Sequence, residues 1–397
     1  MTSKLKISQA VIFCGGRGSR LGEITKTTPK PLLNINKKPF LFHLIKKLEN
    51  EGVSKILLLT GYKNTLFDKF IVNFATELTS DISTNFMPEE YETAQRLKNV
   101  VNVLDKNFFL LYGDNYWDGN FKQHVNLKKN NDIVTTVFKT YKKEKGNISI
   151  KSLDKDIMFS KTKKLNYDYL DMGFMVADKE ALKKFFLNYH KNEKFSDVIF
   201  PYFNSINKLG LVTTEVRHQS IGTIEGLSKT KNYLKHKKFI FLDRDGVLNE
   251  RPKKADYVKD TSEFIWKKNS IKGVNYLCKL GYKIIIISNQ PGVARGKMTL
   301  ENLNQINKKI KQDLIKYNSK IHDFFYCLHD WNDGCSCRKP EPGLLIQAQY
   351  KYNLQLSNHI FIGDDSRDIN AGEKVFMKSY LLDKRQNLYD LLKELNI

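Results

Sequence analysis

The sequence predicts an α/β protein of two domains. Three observations lead there. Its 397 residues exceed the ~100–200 residues that one core usually serves. Short β-rich runs alternate with helical patterns along the chain. That alternation starts afresh after a polar, basic stretch, Ser228–Lys238 (SKTKNYLKHKK). The expected domains are therefore 1–234 and 238–397.

In the first half, Ala10–Cys14, Lys55–Thr60, Phe108–Tyr112 and Ile133–Phe138 are apolar runs of strand length. Pro39–Asn50 and Tyr62–Phe74 carry apolar residues at helical spacing. In the second half, Phe239–Leu242, Ile284–Ser288, Phe324–Cys327 and His359–Ile362 read as buried strands. Helices are expected over Thr299–Tyr317, Gly343–Tyr352 and Leu388–Leu395. No internal repeat links the halves.

Apolar residues make up 41% of the chain and aromatic residues 12%, which excludes a disordered or collagen-like polymer. No apolar run reaches the ~18–20 residues of a membrane span. The start, MTSKLKISQ, lacks the apolar centre of a signal peptide, so a cytoplasmic protein is expected. The formal net charge is +23. The excess is mostly lysine and lies in both halves. Base reading leans on arginine forks, and no nucleic-acid motif appears. The charge reads first as a solvated surface; the functional alternative is attraction of small polyanions such as nucleotides and sugar phosphates. Neither nucleic acid nor membrane is an expected partner, and self-association is left open.

Strand Ala10–Cys14 runs into Gly15-Gly16-Arg17-Gly18-Ser19-Arg20-Leu21. Glycines there let backbone N–H groups approach a phosphate, and Arg20 adds a charged fork. Pro29-Lys30-Pro31 holds Lys30 on a stiff loop. Tyr112-Gly113-Asp114-Asn115 sets a carboxylate at a strand end, suited to Mg²⁺ on a triphosphate. In this order the pieces resemble the sugar-1-phosphate nucleotidyltransferases, over roughly residues 8–234. The resemblance extends to Glu92-Thr93-Ala94, Phe159-Ser160-Lys161 and Gly222-Thr223-Ile224-Glu225. It implies attack by a sugar 1-phosphate on the α-phosphorus of an NTP. Gly15, Gly16, Gly18, Ser19 and Thr93 would bind the nucleotide, Arg20 and Lys30 its phosphates, and Asp114 Mg²⁺. Where that family carries a second metal carboxylate, this sequence has Ser220. Either Glu225 or Asp171 replaces it, or this half is slow or inactive.

Phe239–Leu242 ends in Asp243-Arg244-Asp245-Gly246. Paired carboxylates at a strand end can divide nucleophilic and proton-transfer work. Ser288-Asn289-Gln290, Arg338-Lys339-Pro340 and Gly363-Asp364-Asp365-Ser366-Arg367-Asp368 follow. The order resembles the haloacid dehalogenase-like phosphohydrolases over about 238–397. It implies an aspartyl-phosphate on Asp243, with Asp245 as acid and base. Ser288 and Lys339 would hold the phosphoryl group. Asp243, the Asp245 carbonyl and Asp364 would hold Mg²⁺, with Asp368 nearby. Both resemblances imply Rossmann-like α/β/α domains.

Cys327, His329, Cys335 and Cys337 give the Cys₃His count of a closed, structural Zn²⁺ site. Such a site would pin a polar loop and aim Arg338 and Lys339. This Cys/His loop resembles the branch of the heptose bisphosphate and histidinol-phosphate phosphatases. Fusion to a nucleotidyltransferase favours a sugar bisphosphate over histidinol phosphate, and points to GTP as the nucleotide of a bifunctional enzyme of activated-heptose synthesis. The alternatives are a phosphatase joined to a non-catalytic binding module, and a nucleotide-sugar sensor. His43, His124, His190 and His236 read as surface or satisfied histidines, Cys14 as packing, and Trp117 as strand-end packing or a nucleotide contact.

Overall fold

The computed structural model describes residues 6–140, 146–150, 157–164, 167–216, 218–253 and 256–397. The chain divides into two compact units, Met1–Leu234 and Lys235–Ile397. No helix among the described residues is long and apolar enough to cross a membrane.

The first unit is built on a nine-stranded mixed sheet. Its strands are β1 (Gln9–Phe13), β2 (Lys55–Thr60), β3 (Asp81–Phe86), β4 (Asn107–Tyr112), β5 (Ile133–Lys139), β6 (Gly146–Ile150), β7 (Ile157–Lys164), β8 (Tyr169–Asp178) and β9 (Leu209–Thr214). β1 is buried along its whole length. It pairs in parallel with β2 on one side and β4 on the other. The chain thus leaves β1 in opposite directions, which opens a crevice beyond its carboxyl end. β8 runs antiparallel to both β4 and β5. It is this strand that turns the sheet from parallel to mixed.

The second unit has a five-stranded, all-parallel sheet. Its strands are β10 (Phe239–Leu242), β11 (Lys283–Asn289), β12 (Asp323–Cys327), β13 (Ile360–Gly363) and β14 (Lys378–Leu381), in the order β12-β11-β10-β13-β14. β10 is central and wholly buried. Its two neighbours again leave it in opposite directions, so the crevice forms where β10, β11 and β13 end. Helices Ser270–Lys279 and Leu300–Ile315 bury Val274, Leu277, Leu303, Ile306 and Ile310 against the sheet. Thr299 starts the second of these with a reciprocal capping box to Asn302.

Part of the Ser228–Lys238 stretch is not a linker. Ile224–Tyr233 is a helix, capped by Thr223, that buries Leu227, Thr230 and Tyr233. The basic residues lie on its outer side, which is why the composition reads as a break.

Candidate functional site

In the second unit, three strand ends converge on a cavity of about 850 Å³ lined by Asp243, Asp245, Ser288, Arg338, Lys339 and Asp364. Asp243 follows β10, Ser288 is the last residue but one of β11, and Asp364 follows β13. The apolar strands are rigid and parallel, so residues at their carboxyl ends are held at one level. Gly246, at φ 88°, lets the chain turn under Asp364. A Cβ there would come within 1.9 Å of its Oδ2.

Lys339 is buried, with Nζ 2.9 Å from Asp243 and 2.5 Å from Asp368. Nζ also donates to the Ile287 carbonyl at 2.8 Å. Asn289 clamps the Lys339 backbone from both sides, each bond 3.0 Å. Burial pushes the Asp243 carboxyl up, against the opposing pull of Lys339. Burial likewise pushes Asp364 up to about 6. Arg251 pairs with Asp364 at 3.2 Å and Asp365 at 2.7 Å.

Ligand oxygens of Asp243, Asp364 and Asp368 lie within 4.8 Å of one another. This crowd of buried acids exceeds the nearby lysine charge, and its hard oxygen donors fit Mg²⁺. Asp368 is thus brought into the cluster itself, while also capping the helix Ser366–Lys374. The Asp245 carboxylate is not part of it. Arg244, Asn249 and Gln290 all donate to that carboxylate, at 2.8–3.1 Å.

Cys327, His329, Cys335 and Cys337 are gathered in the loop after β12, with ligand atoms within 4.8 Å. Neighbouring pairs stand 3.2–3.7 Å apart. Thiolates ~2.3 Å from a shared tetrahedral centre would stand about 3.7 Å apart. The set therefore fits Zn²⁺, and all five cysteines of the chain are free thiols. Arg338 and Lys339 follow directly, and Gln290 N is tied to the Cys327 carbonyl at 2.7 Å.

The first unit has a smaller cavity of about 260 Å³, lined among others by Gly15, Gly16, Lys30, Thr93, Arg96 and Asp114. Lys30 reaches Asp114 at 2.9 Å. The Thr93 hydroxyl accepts from Phe195 N at 2.7 Å, so it ties two helices together. Arg96 is buried and holds carbonyls of Thr60, Pro88 and Tyr91 at 2.7–2.8 Å. Gly18, Ser19 and Arg20 do not line this cavity. The Arg20 guanidinium instead lies beside Gly222: its Nη2 and the Ser220 hydroxyl each stand 3.4 Å from where a Gly222 Cβ would be. Ser220 pairs with Asn115 across a two-stranded ladder, one residue from Asp114.

Among the described residues, no group of three or more metal-type ligands includes Asp114, Glu225 or Asp171. Glu225 is exposed and paired with Lys229. Asp171 is pushed up to about 6 by burial and accepts from Thr135 and Gly173. Asp114, a single carboxylate facing Lys30, fits Mg²⁺ only together with the phosphates of a bound nucleotide. Lys161 sits on β7, with its side chain outside the described residues. Trp117 is fully buried against Phe121, His124 and Phe174, so it packs and cannot meet a nucleotide. His124 is likewise a core residue, bonded to Thr136 at 2.6 Å. Cys14 is buried.

Sequence reasoning missed Arg244, Gln290 and Arg251. A charged residue between two aspartates reads as exposed, and only its complete burial shows it to be part of the site.

Residues 9–236 match the profile of the nucleotidyl transferase family. Residues 238–382 match that of the polynucleotide kinase 3 phosphatase family. Over 145 residues the chain is 38% identical to the D-glycero-alpha-D-manno-heptose-1,7-bisphosphate 7-phosphatase of Photorhabdus laumondii, covering 34% of this chain and 77% of that one. Over 145 residues it is 34% identical to the D-glycero-beta-D-manno-heptose-1,7-bisphosphate 7-phosphatase of Neisseria meningitidis, covering 36% and 76%. Among solved structures, HddC from Yersinia pseudotuberculosis, complexed with GMP-PN, shares the fold of the first unit. Its TM-score is 0.50 at 22% identity, over 58% of this chain and 100% of that one. The chain therefore belongs to the nucleotidyl transferase family through residues 9–236 and, through its second unit, to the family of these 7-phosphatases, which makes it a hydrolase fused to a nucleotidyltransferase domain.

Proposed function

We propose that the second unit removes the 7-phosphate of D-glycero-D-manno-heptose 1,7-bisphosphate and that the first unit then transfers a guanylyl group from GTP to the heptose 1-phosphate. One observation carries this reading. A preformed Asp243–Ser288–Lys339–Asp364 cavity stands in a unit 38% identical to a heptose bisphosphate phosphatase, on the same chain as a nucleotidyl transferase domain.

An Asp243 oxygen attacks the phosphorus, and the sugar alkoxide leaves with its electron pair. Asp245, a carboxylate in the free site, takes up a proton as the substrate binds, gives it to that alkoxide, then takes another from the water that splits the aspartyl-phosphate and releases it with the product. Inorganic phosphate leaves, and both aspartates return to their starting forms. Lys339 and Ser288 hold the nonbridging oxygens of the phosphoryl group as it moves. Mg²⁺ at Asp243, Asp364 and Asp368 would offset repulsion between the nucleophile and the phosphate dianion. In the first unit, Lys30 and the Gly15–Gly16 backbone would hold the NTP phosphates, so the transfer rests on positioning and fixed charge.

The lone Asp114 and Ser220 favour one competing reading, in which the first unit binds ligand without transferring a nucleotide. Incubation with each heptose bisphosphate anomer, followed by each NTP, tests both. Phosphate release followed by pyrophosphate release with GTP is the expected result. Phosphate without pyrophosphate leaves the phosphatase alone, and intact bisphosphate rules out the substrate. Asp243→Asn should abolish phosphate release.

A further inference from the structure

Arg244 separates Asp243 and Asp245 in sequence, yet none of its side chain is exposed. A guanidinium stays charged, so burying it is costly unless it is paired. Its Nε donates to Asp245 Oδ1 at 3.1 Å, and its Nη2 donates to Oδ1 and Oδ2 at 2.9 and 3.0 Å. The same Nη2 donates to Gln290 Oε1 at 3.1 Å.

Those charges dictate how the Gln290 amide lies. Arg244 can only donate, so the Gln290 atom facing it is the oxygen. The Asp245 carboxylate accepts, so the atom facing it, at 2.8 Å, is Nε2. That Nε2 also reaches Ser288 Oγ at 3.1 Å. The Ser288 oxygen therefore accepts from behind, and its own hydrogen remains for the cavity that it lines with Asp243 and Lys339. Gln290 is buried, and its backbone is fixed to the Cys327 carbonyl, so it has little room to turn.

We propose that Arg244 and Gln290 are positioning residues that aim the Ser288 O–H at the phosphoryl group, while Arg244 holds Asp245 in place. The proposal rests on the phosphatase reading above. Without the incoming N–H, the Ser288 hydroxyl rotates freely. The carboxylates of the cavity then compete with the phosphoryl oxygen for its hydrogen.

A double-mutant cycle on the full chain tests this. The variants are Gln290→Met, Ser288→Ala and their combination, with Gln290→Leu if the first does not fold. The readout is the dissociation constant of orthovanadate, a phosphoryl mimic, in Mg²⁺, with melting temperature as the control. Gln290→Met should weaken vanadate binding about tenfold in the parent chain and less than twofold in the Ser288→Ala background. Arg244→Met should show the same Ser288-dependent loss, together with a loss through Asp245 that persists in the Ser288→Ala background. Equal losses in both backgrounds, or no loss in the parent, would overturn the proposal. Vanadate binding by a chain that leaves heptose bisphosphate intact would instead overturn the substrate assignment, with the cycle still readable.

Discussion

Replacing Lys339 by Met keeps the stem and removes the charge. In the parent chain this ammonium lies 2.9 Å from Asp243 and 2.5 Å from Asp368, with 4% of its side chain exposed. Losing one partner of a buried ion pair costs about 3–5 kcal/mol, because the other charge is stranded. Two carboxylates are stranded here. Burial already favours the protonated form of Asp243, so that group can take up a proton, and the loss should sit near ~3 kcal/mol. For a unit of this size, each kcal/mol moves the melting point by about 2–4 °C, so the unit should melt roughly 6–12 °C lower. Adding Asp368→Asn removes one stranded charge and should return at least about half of the loss. The assay is a calorimetric scan of the full chain in EDTA, so that no divalent cation replaces the lysine. A Lys339→Met chain melting within about 2 °C of the parent, or a double variant melting below the single one, would refute the reasoning.

Two further outcomes concern other parts of the molecule. Metal analysis should find about one zinc per chain, and Cys335→Ser should lose it and loosen the loop that leads into Arg338 and Lys339; full-length protein purified without zinc contradicts the site. His124 is pushed down to about 3 by burial, below its unfolded value of ~6.5. Its stabilising share is therefore present above pH ~6.5 and is lost as pH falls toward 3, by about 1.4 kcal/mol per unit. Denaturation midpoints of the parent and His124→Gln between pH 7 and 4 check this, and parallel curves would contradict it.

Much of the phosphatase site was legible because its chemistry is local. Asp243, Ser288 and Asp364 each stand at or directly after an apolar run, and a buried parallel strand leaves its functional residue at the carboxyl end. The Cys₃His set was legible from spacing alone. What stayed hidden depends on partners far away in sequence. Nothing near Arg244 says that its fork will turn inward to Gln290, 46 residues on. Asp368 looked peripheral until Lys339 and the helix cap drew it into the cluster. In the first unit, β3 (DISTNF) is a polar edge strand whose pairing with β2 has no apolar run to announce it. The antiparallel β8 that completes the mixed sheet went unread although Met172–Ala177 is an apolar, buried run. The lysine excess still reads as surface, because few of those charges meet either cavity.

The most direct measurement follows both products in one tube, with heptose 1,7-bisphosphate, GTP and Mg²⁺ supplied to the full chain. One phosphate, then one pyrophosphate and one guanylylated heptose, are expected for each sugar consumed, with Asp243→Asn blocking all three. Pyrophosphate formed from the bisphosphate before any phosphate appears, or full turnover by Asp243→Asn, would contradict this expectation.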